Sequence, residues 1–214
     1  MKQNKGFTLV ELSIAIVIIG LLIAGVIKGA GLMDSAKVSS AITLTKDISI
    51  AVNEFKQRFH LMPGDLSIAA EIPNVRSECA AGGPYEGNNN GIIDNGKNGA
   101  AGSLGVPAES QCIPEVLFRA GMAKVDQDNG WYVFKSDYGV VNVVATNLSK
   151  TVVTLGSNPF LPSVTHVIEF QNLPCEIAQE IDRKMDNGDL TSGRAIASIP
   201  ACVTGNIVTY AVAL

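Results

Sequence analysis

From Phe7 to Ile27 the chain runs 21 residues with a single charged side chain, Glu11. At ~1.5 Å per residue a helix of that length spans roughly 30 Å, the thickness of a bilayer's hydrocarbon core. The run therefore predicts one membrane-crossing helix. The charges before it are Lys2 and Lys5, so the N-terminus is expected on the cytoplasmic side and the rest of the chain outside. A carboxylate near the middle of such a helix costs roughly 2.5–3.5 kcal/mol, and less near an end. Glu11 is expected to meet a partner.

An ordinary signal peptide places a small-residue cleavage site after a shorter apolar stretch. Here the order differs: a short basic leader, MKQNKG, precedes the apolar run and ends at Gly6, so a cut there leaves the anchor attached. The stretch KGFTLVEL resembles the class III signal of type IV pilins and type II secretion pseudopilins. The resemblance implies cleavage after Gly6 by a membrane aspartic (prepilin) peptidase, N-methylation of the new terminus Phe7, and Glu11 as the acidic residue five into the mature chain. It also implies assembly. In an axially staggered fibre Glu11 meets the Phe7 amine of a neighbouring subunit, and two charges costly in lipid neutralise one another only in register. The alternative is that Glu11 snorkels or bonds within its own chain, near Thr8. A fibre role favours a shaft position, because a tip subunit has no neighbour above it.

Between Ala30 and Phe59 there is no proline, and Ile48, Val52, Phe55 and Phe59 recur at helical spacing, with Lys46, Asp47, Lys56 and Arg58 available to the opposite face. This predicts an amphipathic continuation of the helix, stopped by Pro63-Gly64. Many pilins carry a proline some twenty residues into the mature helix; here Lys28 stands at that place, and Gly25, Gly29 and Gly31 are the residues that can soften the stretch. Beyond the Gly/Asn-rich region 63–107, a short helix is expected at 114–122. GWYVFK, GVVNVVATN, TVVTLG, SVTHVIEFQNL and NIVTYAVAL read as strands, and a helix is expected to begin at Pro174 and stop at Asn187-Gly188. The fold class is α+β: a long N-terminal hydrophobic spine helix packed on an antiparallel β-sheet head, as the resemblance also implies. The expected division is leader 1–6, transmembrane and assembly helix 7–27, amphipathic spine 28–60 and extracytoplasmic head 61–214. LMPGD and IDRKMDNGDLTSG are similar to a bacterial pilin-like subgroup with a large head.

Hydrophobic residues make up 47% of the chain and charged ones 17%, a balance that excludes a disordered tail. The formal net charge is −4; loss of Lys2 and Lys5 with the leader leaves 14 basic against 20 acidic residues, or −6. No basic stripe is present, so nucleic acid is not an expected partner. Cys79, Cys112, Cys175 and Cys202 lie beyond the apolar run without a CxxC pair, which in an exported region reads as two disulfides. Three pairings are open; the sequential one, 79 with 112 and 175 with 202, is preferred because it closes the shorter loops.

EGNNNGIID places Glu86, Asn88, Asn90, the carbonyl of Ile92 and Asp94 on alternate positions of an EF-hand-like loop, a candidate calcium site. Position 12, normally a bidentate Glu, is Lys97, so a turn built from Asn and Gly is the competing reading. Calcium-stabilised loops occur among pseudopilins, and one here would favour that branch. Asp182, Asp186 and Asp189 read as a helix-end turn, and His60 and His166 as ordinary histidines. There is no G-x-S-x-G, H-E-x-x-H or P-loop, so no enzyme is expected. The expected function is a prepilin that polymerises with itself or other pilin subunits, with the peptidase and an inner-membrane assembly machinery as partners. The alternatives are a type II secretion pseudopilin and, in another class, a single-pass anchored binding or hydrolytic domain.

Overall fold

The computed structural model describes residues 8–67, 72, 74–79, 83–96 and 107–214. Gly6, Phe7 and Lys97 lie outside the described residues. Two compact units emerge, Met1–Val38 and Ser39–Leu214, so the division falls inside the expected amphipathic segment.

In the first unit the chain is helical from Leu9, the start of α1 (Leu9–Phe59). The helix passes through Gly25, Gly29 and Gly31 without a break. Between Leu9 and Met33 its described large apolar side chains are open on every side, from Leu9 at 87% exposure to Ile18 at 51% and Leu32 at 72%, and only at the unit's end is one, Val38, buried. A helix that is hydrophobic all round belongs in lipid or among partners, since in water it has nothing to bury against. By length and composition it can cross a membrane.

In the second unit α1 becomes one-sided. Thr45, Ile48, Val52 and Phe55 are buried, whereas Lys46, Asp47, Glu54 and Lys56 are exposed. Each large apolar side chain so buried contributes about 1.5–3 kcal/mol. The helix ends where His60 enters the left-handed region at φ 57° and donates its N–H to the Lys56 carbonyl at 2.9 Å.

The head sheet has six strands: β1 (Asp126–Asp128), β2 (Trp131–Ser136), β3 (Gly139–Ala145), β4 (His166–Pro174), β5 (Ala195–Ala197) and β6 (Ile207–Ala213). Their spatial order is β1-β2-β3-β4-β6-β5, antiparallel throughout. The central strand β4 is buried on both faces. Val167 packs with Val144, Val152, Phe160 and Ile196 on one side, and Ile168 shares a groove with Thr45 and Ser49 of α1 on the other.

Two sequence expectations need correction. TVVTLG is not a strand but helix α3 (Lys150–Leu155). Thr151 and Val152 point inward while Val153 is 65% exposed, a helical burial pattern, and the buried Glu169 carboxylate accepts the Ser149 hydroxyl at 2.5 Å and the Thr151 N–H at 3.3 Å. Gly156 at φ 70° closes the helix. Tertiary bonding to a distant carboxylate overrides the β-branched propensity. The second correction is α2, which runs Ala108–Arg119 with Pro114 inside it rather than at its start. Helix α4 (Cys175–Met185) follows the expectation, with Pro174 at its N-cap.

Cys79 is bonded to Cys112 and Cys175 to Cys202. Loops of this length gain about 3 kcal/mol from such closure. The first bridge lies beside Trp131 and Val133. The Arg76 guanidinium sits 3.8 Å over the Trp131 ring, donates to the Gly130 carbonyl at 2.7 Å and pairs with Glu78 at 2.9 Å. Together these fasten segment 74–79 to the β1–β2 hairpin.

Gly64 has φ 97°, and a Cβ there would meet the Glu109 backbone and the Ile113 side chain of α2. Gly64→Ala is therefore expected to destabilise the head by about 2 kcal/mol or more, through backbone strain and displacement of α2. Urea denaturation checks it; a change below about 0.5 kcal/mol would show that α2 yields freely.

Candidate functional site: a carboxylate-held loop and a capped apolar helix

Asp65, directly after the Pro63-Gly64 stop, is 1% exposed. Its Oδ1 accepts the backbone N–H of Asn88 at 2.8 Å and of Asn89 at 2.5 Å, and its Oδ2 accepts that of Gly91 at 2.6 Å. Asn89 at φ 59° and Gly91 at φ 78° turn these amides inward, making a concave nest of N–H groups filled by an internal carboxylate. Glu109, buried on α2, accepts the Asp94 N–H at 2.7 Å and shares the Asn88 N–H at 3.3 Å. Asp94 in turn accepts Gly96 N–H at 2.7 Å and the side-chain amides of Asn88 at 3.4 Å and Asn90 at 3.0 Å.

The candidate calcium ligands Asn88, Asn90, Ile92 and Asp94 are thus drawn together, and Glu86 is buried at 4% exposure, but the loop oxygens largely face N–H donors. Asn88 Oδ1 accepts Asn90 N–H at 3.0 Å and Asn90 Oδ1 accepts Ile92 N–H at 2.7 Å. Among the described residues no group of three or more His, Cys, Asp or Glu is placed to hold a metal ion. As arranged, the donor set does not fit the six to eight free oxygens that calcium takes.

His166, 4% exposed, anchors the far end of the loop: its Nε2 accepts the Ile93 N–H at 3.2 Å, while Ala145 N–H donates to the Ile93 carbonyl at 3.3 Å. Burial, and secondarily the charge of Lys56, lowers the His166 pKa to about 4. Burial raises that of Glu109 to about 8, with Asp65 and Asp94 adding to it. The two act in opposite senses. Below pH ~6.5 the unfolded histidine takes a proton that the folded one refuses, so its contribution is complete above that pH and is lost as pH falls toward 4. Glu109 contributes below pH ~4.5 and loses its contribution as pH rises through about 8. His166→Gln is expected to flatten the acid limb of stability against pH, and Glu109→Gln the alkaline limb. Denaturation midpoints between pH 4 and 8.5 check both, and unchanged limbs in the variants would sink the assignment.

The three aspartates near the end of α4 do not converge on one point. Asp182 is fully buried and its Oδ1 accepts the Tyr210 hydroxyl at 3.2 Å; burial pushes both groups up. Asp186 accepts the backbone N–H of Arg194 at 2.5 Å and Ala195 at 3.0 Å. Asp189 accepts Thr191 N–H at 3.0 Å. His60 is exposed at the end of α1.

At the other end of α1, Thr8 and Glu11 form a reciprocal cap. Glu11 Oε2 accepts both the backbone N–H and the hydroxyl of Thr8 at 2.9 Å, and Thr8 Oγ1 accepts the Glu11 N–H at 3.3 Å. This is the S/T-x-x-E capping box, which satisfies donors that a helix start leaves open. Residues 1–27, which contain it, match the family model described as the prokaryotic N-terminal methylation motif. The chain carries the class III signal of type IV pilins and pseudopilins. No curated protein and no solved structure matches the chain.

The class III signal supports a type IV pilin or pseudopilin precursor, a structural subunit anchored by its apolar N-terminal helix. Glu11 within that signal has an intrachain partner in Thr8, so the carboxylate is held at the helix start in the isolated chain. Sequence reasoning missed Asp65 and Glu109. The residue order PGD marks a turn, but nothing local to Asp65 or Glu109 says that the carboxylate faces inward.

Proposed function

We propose that the chain is the structural subunit of a type IV pilus or pilus-like fibre. It enters the inner membrane as a precursor with its N-terminus in the cytoplasm, is cut after Gly6 by a prepilin peptidase, is methylated at Phe7, and polymerises through α1 by way of the assembly machinery. The observation that carries this reading is the helix that starts inside the class III signal and whose described large apolar side chains from Leu9 to Met33 are exposed on all faces. Such a surface is stable only in lipid or against other helices. Leaving the bilayer, it needs neighbours. In the fibre Glu11 exchanges its Thr8 bonds for the amine of a neighbour's Phe7, which removes two uncompensated charges from an apolar bundle.

Co-expression with a prepilin peptidase tests the first step. Intact mass and N-terminal sequencing are expected to show a chain beginning at methylated Phe7. A chain that keeps Met1 would move the membrane-anchored-domain reading to the front, and a processed chain found only in the periplasm would favour the pseudopilin.

A further inference from the structure

Within the second unit, a groove of about 230 Å³ opens between α1, the end of α4 and the sheet. We propose that this groove binds a phosphate group, through Lys46, Lys184 and Arg194. It is lined by those three cations with Thr45, Ser49 and Met185 over a floor of Ile168, Val212 and Ala213, and among the described residues no carboxylate lines it. In a chain where acidic residues outnumber basic ones 20 to 16, three converging cations are a local reversal of the overall field. The volume holds several waters at ~30 Å³ each, enough for a phosphate and part of its carrier.

Arg194 is positioned by its backbone, and among the described residues two of the three cations are unpaired. The Arg194 backbone is fixed at both ends: its N–H donates to the Asp186 carboxylate at 2.5 Å and its carbonyl accepts the Ala213 N–H at 2.7 Å. Asp186 Oδ2 accepts the backbone amides of Arg194 and Ala195, and no ion pair between its carboxylate and the Arg194 guanidinium forms. Among the described residues neither Arg194 nor Lys46 forms an ion pair. Lys184 lies 3.5 Å from Glu180, but that carboxylate is held more closely by Arg183 at 2.8 Å. The floor residues Ile168 and Val212 are 0% and 4% exposed, so charges above them sit over a poorly polarisable surface, where attraction to an anion exceeds that in open water. Arginine supplies a planar fork and the lysines point charges, the combination suited to phosphate oxygens.

The inference concerns residues 39–214 and does not rest on the fibre reading. The full chain in neutral-detergent micelles is titrated with inorganic phosphate at constant ionic strength, with chloride as the control, by calorimetry and by the rise in melting temperature that a ligand of the folded state produces. Saturable binding is expected with phosphate and not with chloride. Arg194→Gln and Lys46→Gln, both exposed positions, should each weaken it about tenfold or more while the ligand-free melting temperature stays unchanged. Arg194→Lys should fall between. Repeating the titration in phosphatidylcholine nanodiscs with and without phosphatidylglycerol separates the sources: competition by the anionic lipid identifies a headgroup site, and its absence a soluble phosphate site. Lack of saturable phosphate binding, or binding that survives both glutamine variants, overturns the proposal.

Discussion

Glu11→Ala is expected to abolish sheared surface fibres while the head, residues 39–214, keeps its melting temperature. The residue holds two offices that alanine alone cannot separate. It closes the capping box with Thr8, and loss of such a cap costs about 0.5–2 kcal/mol of helix stability. In the proposed fibre it also brings the charge that meets the Phe7 amine of the next subunit. Glu11→Gln separates the two, because its amide oxygen still accepts the Thr8 N–H while the charge is gone. Thr8→Val leaves the carboxylate and removes the two hydroxyl bonds of the cap, while the N–H of residue 8 still donates to Glu11. If charge register drives assembly, Glu11→Gln fails like Glu11→Ala and Thr8→Val still yields fibres. If the cap is what matters, the pattern inverts. Fibres from Glu11→Ala at wild-type yield would remove Glu11 from the assembly step altogether.

The N-terminal unit was legible in sequence because its signals are local. A charge-poor run of bilayer length and the stretch KGFTLVEL can each be read from contiguous residues, whereas the Thr8–Glu11 cap was only the alternative to a neighbour contact. The stripe Ile48, Val52, Phe55 and Phe59 was legible for the same reason; the structure buries the first three and leaves Phe59, at the helix end, half-buried. The strands β2, β3, β4 and β6 were readable from their β-branched and aromatic content between turn residues. The errors arise where a distant group decides. TVVTLG reads as a strand until Glu169, on another strand, accepts the hydroxyl of Ser149 and the N–H of Thr151. The start of α2 was displaced because Pro114 looks like a first-turn residue, although Pro107 takes the N-cap and residues 108–117 are buried, Glu109, Ser110, Gln111 and Glu115 among them. Polar residues along the buried stretch 108–117 of a helix invert the binary pattern that sequence reading relies on. The three-residue strands β1 and β5 are too short to show alternation and exist through pairing with β2 and β6.

Asp65→Ala is expected to produce the largest stability loss among the loop variants, about 3 kcal/mol or more. Three backbone N–H groups, of Asn88, Asn89 and Gly91, converge on this one carboxylate, and each donor left without a partner costs about 1–3 kcal/mol where water cannot replace it. Replacement is partial, since Asn89, Asn90 and Gly91 lie at the surface, so the total falls short of three full penalties. Asp65→Asn keeps one acceptor oxygen and turns an amide toward amides, which places it between wild type and alanine. Urea denaturation with proteolysis mapping gives two readings of the same event. If the alanine variant loses cooperative stability, the nest is part of the folding core. If the global midpoint holds and cleavage appears within 86–94, the loop is a separate unit of low local stability, still tied to the head by the Cys79–Cys112 bridge on one side and by the Ile93 anchor at His166 on the other. A variant within about 0.5 kcal/mol of wild type and equally protected from protease would mean that the amides are hydrated without cost, and that the carboxylate nest does not hold the loop.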